Sequence, residues 1–123
     1  MTLTKMAKAT VAALEDIKGR DIVVLDVRKM TSLFDKVVIA TADSARQASA
    51  MARNVQEKLK AQGAKIYGIE GERTGEWVLL DLGAVIVHIM QPAIRQHYNL
   101  EELWTPPRAT RRRTKAVSTT DEA

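Results

Sequence analysis

Trp77, Asp81 and His88 are the residues whose types and spacing most suggest a task, and all three lie in the stretch EWVLLDLGAVIVHIM, Glu76 to Met90. A two-residue turn at Leu82-Gly83 would set Asp81 opposite Ala84, Leu79 opposite Ile86 and Trp77 opposite His88. One face of that hairpin is then wholly aliphatic: Val78, Leu80, Val85, Val87 and Ile89. The other carries Trp77, Leu79, Asp81, Ile86, His88 and Met90. Aromatic and methionine side chains with few charges make up the centre of a protein-binding patch, and that is the leading reading of this face. The competing reading is a second core face lying under the chain's own helices, with Trp77 and His88 as an aromatic cross-strand pair. It is weaker, because burying Asp81 and His88 would demand hydrogen-bond partners for both.

Catalytic constellations are poorly supplied. His88 in a strand and His97 on a short helix have no third ligand at zinc-like spacing, so no metal is expected. Asp26 is followed at the next same-face position by Arg28, a cation that would repel a divalent ion. The two are expected to pair at a strand end or to serve as rim contacts. The turn TADSAR, Thr41 to Arg46, has no glycine to cradle a phosphate, and Asp43 there reads as a solvated or capping residue. A nucleophilic role for Ser32, Ser44 or Ser49 has no support. No catalysis and no cofactor are expected.

The 123 residues suffice for one domain with a sizeable core. The absence of cysteine excludes disulfides, thiolate nucleophiles and cysteine zinc sites, and suits a cytoplasmic protein. No apolar run approaches membrane-spanning length, and the N-terminal stretch does not read as a secretory signal. The formal charge of +4 is uneven: residues 1–104 hold 14 basic and 13 acidic groups, residues 105–123 five and two. RATRRRTK within the latter could bind RNA phosphates without sequence preference. The simpler reading of 105–123 is a disordered basic tail on a domain spanning 1–104, with rRNA contact as an accessory role.

Positioning the hairpin requires a scaffold, and its elements are legible. Leu3, Met6, Ala7, Val11, Leu14 and Ile17 recur at helical spacing up to Gly19. DIVVLDV (21–27) and KVVIAT (36–41) read as buried strands. Ser44 and Gln47 form a capping box for a helix that buries Ala48, Met51, Val55 and Leu59 and stops at Gly63. KIYGI (65–69) reads as a short strand before the hairpin. Pro92 opens a short helix, Asn99 interrupts it, and LEELW makes a last turn. The order implies an α/β fold with a mixed β-sheet flanked by helices.

These segments resemble the Iojap family, the ribosomal silencing factor S proteins of bacteria. The resemblance runs from about Met6 to Trp104, through DIVVLDVR, FDKVVIATADSARQ, EG at 70–71, EWVLLDLG, VIVHIMQP and the spaced Arg95, Tyr98, Leu100, Glu101, Leu103 and Trp104. It implies a nucleotidyltransferase-like topology. It further implies binding to the large ribosomal subunit through ribosomal protein L-fourteen, blocking subunit joining when nutrients are scarce. Trp77, Leu79, Asp81, Leu82, His88, Met90, Arg95 and Tyr98 match the family's conserved surface. The chain departs from the family pattern at Ala42 (usually Gly), Gln47 (usually His), Ala84 (usually Asp), and Lys36 and Val37 (usually an aromatic pair).

Function therefore reads as occupation of a surface by Trp77, Leu79, Asp81, Leu82, Ile86, His88, Met90, Arg95 and Tyr98. Arg95 is expected to be exposed, with a carboxylate such as Asp81 as partner, and Trp104 with Leu100 and Leu103 to pin the last helical turn to the core. Self-association as a homodimer through the same patch stays open. The alternatives are a nucleotidyltransferase-like enzyme, which the missing carboxylate cluster disfavours, and RNA binding through the tail.

Overall fold

A computed structural model describes residues 1–104. The tail assigned to 105–123 lies outside the described residues. The elements run α1 (Leu3–Asp16), β1 (Arg20–Asp26), β2 (Lys36–Thr41), α2 (Ala45–Ala61), β3 (Gly68–Glu70), β4 (Trp77–Asp81), β5 (Val85–Met90), α3 (Pro92–Tyr98) and α4 (Leu100–Leu103). Five strands form one mixed sheet in the order β1-β2-β5-β4-β3. The central β2–β5 pair is parallel and the other pairings are antiparallel.

α1 and α2 cover one face. Their Ala13, Leu14, Met51, Val55 and Leu59 enclose Val38, Ala40, Val78, Leu80, Val87 and Ile89 in the main core. Alternation along β2, β4 and β5 delivers these strand residues to one side, as the aliphatic hairpin face predicts. Ser44 caps α2 as expected, its Oγ accepting the Gln47 N–H at 3.0 Å. Gln47 Oε1 reaches one residue further back than in a capping box, accepting the Asp43 N–H at 2.7 Å. Its Nε2 donates to the carbonyls of Ile17 and Lys18, so one side chain ties the end of α1 to the start of α2.

The hairpin turn lies one residue later than expected. Leu82 N–H donates to the Val85 carbonyl at 2.9 Å, leaving Gly83 and Ala84 as the turn, with Gly83 at φ +87°. A positive φ at the first turn residue is where a hairpin favours glycine. Leu82 also continues the buried series of Val78 and Leu80 and is 2% exposed. Pairing therefore shifts by two: Trp77 opposes Met90, Leu79 opposes His88 and Asp81 opposes Ile86. A slip of two, unlike a slip of one, returns every side chain to its own face.

The second face is only partly covered. Val27, Val37, Ile39 and Met90 form a smaller core, packed against Val23, Leu25, Phe34, Trp77, Ile94, Leu100 and Trp104. α3 and α4 thus lie toward the β1–β2 side. The strand expected at 65–69 is shorter, Gly68–Glu70, although Tyr67 N–H still donates to the Asp81 carbonyl at 2.8 Å.

Candidate functional site: the half-covered hairpin face

β4 and β5 present Trp77, Leu79, Asp81 and Ile86 on the second face, each half-buried. Trp77 is held on two sides. Its indole Nε1–H donates to His88 Nδ1 at 2.9 Å, and its ring lies 4.9 Å, centroid to centroid, from Tyr98. Tyr98 is 53% exposed and makes an edge contact with His97 at 4.8 Å. The rings therefore descend from solvent at Tyr98, through Trp77, to a buried His88.

An indole N–H can only donate, so His88 Nδ1 must be unprotonated and the ring proton sits on Nε2. Burial lowers the His88 pKa to about 4, so the imidazole is neutral at neutral pH. Asp81 turns its Oδ1 inward along the chain to accept the Gly83 N–H at 2.8 Å, bracing the turn.

Four of the nine expected contact residues are withdrawn from the open surface. Leu82 belongs to the helix-covered core, because strand alternation continues through it. Met90 is on the second face but fully buried, sealed in the smaller core beneath Trp77 and Ile94. Arg95 is neither exposed nor paired with Asp81. Its side chain is 12% exposed, and its Nη1 donates to the Asp21 carbonyl at 2.6 Å and to Thr41 Oγ1 at 2.8 Å. Nε and Nη2 meet both carboxylate oxygens of Glu101, at 3.3 and 3.0 Å. Asn99, at φ +46°, breaks the helix between them and brings Glu101 back toward Arg95. The guanidinium is thus a strap holding α3 and α4 on the sheet. His88 is 8% exposed and supports the face from below.

Sequence reasoning missed Thr41, a buried hydroxyl at the end of an apolar strand, and Phe34, whose ring meets Trp104 edge-on at 5.5 Å. A lone polar residue closing the run KVVIAT was the available signal for the first. The second had none. Trp104 and Leu100 do pin the last turn to the smaller core, Trp104 against Phe34, whereas Leu103 is 63% exposed and takes no part. Asp26 and Arg28 pair at the end of β1, and the Arg28 guanidinium holds the Asp26 carboxyl at about 2. Asp43 pairs with Arg20. Among the described residues no group of three His, Cys, Asp or Glu could hold a metal ion, and no helix is long and apolar enough to cross a membrane.

The family model described as "Ribosomal silencing factor during starvation" matches residues 1–123. The chain belongs to this ribosomal silencing factor family. The ribosomal silencing factor of Chromobacterium violaceum is 52% identical over 104 residues, 85% of each chain. A crystal structure of a protein from the same organism superposes with a TM-score of 0.83 at 50% identity, covering 89% of this chain and 93% of that one. More distant are a mouse protein named for mitochondrial assembly of the ribosomal large subunit and the chloroplastic Iojap protein of Zea mays. They are 33% and 36% identical, over 77% and 75% of this chain and 43% and 40% of theirs. The family's name denotes a silencing role at the ribosome, a regulatory function and not a reaction.

Proposed function

We propose that this chain binds the large ribosomal subunit through ribosomal protein L-fourteen, using the uncovered part of the hairpin face, and so keeps the small subunit from joining. Translation is thereby damped when nutrients are scarce. The observation that carries the reading is the half-buried strip of Trp77, Leu79 and Ile86 beside the exposed Tyr98, left only partly covered by α3 and α4. An indole backed by an aromatic neighbour and flanked by aliphatic side chains has the make-up of a binding hot spot. That the mouse relative is named for assembly of the large subunit supports a large-subunit target.

Inhibition is steric and the chain acts in the cytoplasm. It needs no catalytic group, metal or cofactor; a stable interface buries about 800 Å² on each partner, and a body bound there shares its space with nothing else. The deciding experiment is subunit reassociation followed by light scattering, with and without the protein. Dose-dependent inhibition, with protein recovered on separated large subunits, is expected. Undiminished reassociation, or equal recovery on small subunits, would refute the reading.

A further inference from the structure

Toward β3 the open face deepens into a groove of about 230 Å³ lined by Glu70, Gly71, Trp77 and Leu79. Glu70 stands directly opposite Leu79 in the β3–β4 register, so both side chains leave the sheet on the same side. The chain then turns tightly against β4. Gly71 has φ +83°, and a Cβ there would lie 2.0 Å from the Trp77 carbonyl oxygen, so only glycine lets the backbone pass. This close turn keeps Glu70 and Trp77 on the walls of one groove.

The chemistry of the groove is narrow. The one N–H of the indole is used by His88, so Trp77 offers only its π face and hydrocarbon edge. Leu79 adds an aliphatic wall. Among the described residues no side chain donates to the Glu70 carboxylate. From Glu70 to Asp81 the sequence holds four carboxylates and a single cation, Arg73, within a chain whose total charge is +4. An aromatic plate, an apolar wall and a carboxylate without a donor suit a long apolar stem that ends in a planar cation.

We propose that the groove receives an arginine side chain of the protein that docks on this face. Its stem lies along Leu79, and its guanidinium stacks on Trp77 and forms paired hydrogen bonds to Glu70. The proposal rests on the hairpin face being the partner-binding surface, and it names Glu70 as a specificity-determining residue of that surface.

Two measurements test it. In the first, the Trp77 indole N–H resonance of the free protein is followed during titration with N-acetyl-arginine amide, and with the isosteric citrulline amide as control. A saturable shift with the arginine compound alone is expected, with affinity about threefold to fivefold lower in Glu70→Gln. No saturable shift in the wild type, or the same response to citrulline, overturns the groove. The second measurement is affinity for isolated large subunits. Glu70→Gln should lower it about threefold to fivefold, and Glu70→Arg about tenfold or more. The thermal midpoint should not move, because the Glu70 side chain is exposed. Binding that Trp77→Ala abolishes but Glu70→Arg leaves intact overturns the groove and retains the contact face. Absence of wild-type binding refutes the contact face itself, and the indole titration then decides the groove alone.

Discussion

The indole N–H of Trp77 is committed to Nδ1 of His88, a residue two positions along β5 from Met90, the one directly opposite. This diagonal bond spans the boundary between the smaller core and the open strip. Removing the donor while keeping a ring, as in Trp77→Phe, leaves a buried imidazole nitrogen without a partner. The expected cost is about 1–3 kcal/mol of stability, read by urea unfolding. A double-mutant cycle with His88→Leu should recover part of that loss. Strict additivity would mean that the two rings are not coupled.

Stability should depend on pH through the same imidazole. The unfolded chain takes up a proton as pH falls through 6.5, the ordinary histidine value, whereas the folded His88 does so only near 4. The contribution is complete above 6.5 and is lost progressively down to about 4. Its full size is about 3.5 kcal/mol, from a gap of some 2.5 pH units at about 1.4 kcal/mol each. The thermal midpoint should therefore drop across this window, and drop less steeply in His88→Gln. Equal slopes for the two proteins would exclude His88 as the titrating group.

Arg95 should behave as a fastener. Arg95→Ala removes the ion pair to Glu101 and the bond to the buried Thr41 hydroxyl, at a cost of about 2–3 kcal/mol. Hydrogen exchange should accelerate first in residues 92–103, ahead of β4 and β5. Uniform acceleration across the sheet would show that α3 and α4 do not detach as a unit.

Leu82 and Leu79 should separate core from contact. Leu82→Ala opens a cavity beneath α1 and α2 and should cost about 2–5 kcal/mol. Its effect on subunit binding, measured below the midpoint of unfolding, should be slight. Leu79→Ser, on the half-buried face, should do the reverse, leaving the midpoint within a few degrees while weakening binding to large subunits. The opposite pattern would exchange the two assignments.

Much of this was legible because period and parity carry it. The two faces of the hairpin follow from alternation alone, and they survived a turn placed one residue too early, since the resulting slip is even. Ser44, Gly63, Pro92 and Asn99 marked helix ends by local chemistry, which needs no tertiary knowledge. Depth was another matter. Met90 and Ile86 share a face and a strand, yet one is sealed and the other open. The difference lies in where α3 and α4 come to rest, and that depends on Arg95 finding Thr41, Asp21 and Glu101. A guanidinium on a short helix reads as solvent-exposed until its partners, 54 and 74 residues away in the chain, are known.

The parallel β2–β5 pair has a consequence for how the chain is made. Residues 36–41 join residues 85–90, so α1, β1, β2 and α2 are all synthesised before the strand that completes the middle of the sheet. Until then β2, five of whose six residues are buried in the finished fold, carries a raw edge that could pair with another nascent chain. The period of greatest aggregation hazard is therefore the interval between the emergence of α2 and that of the hairpin.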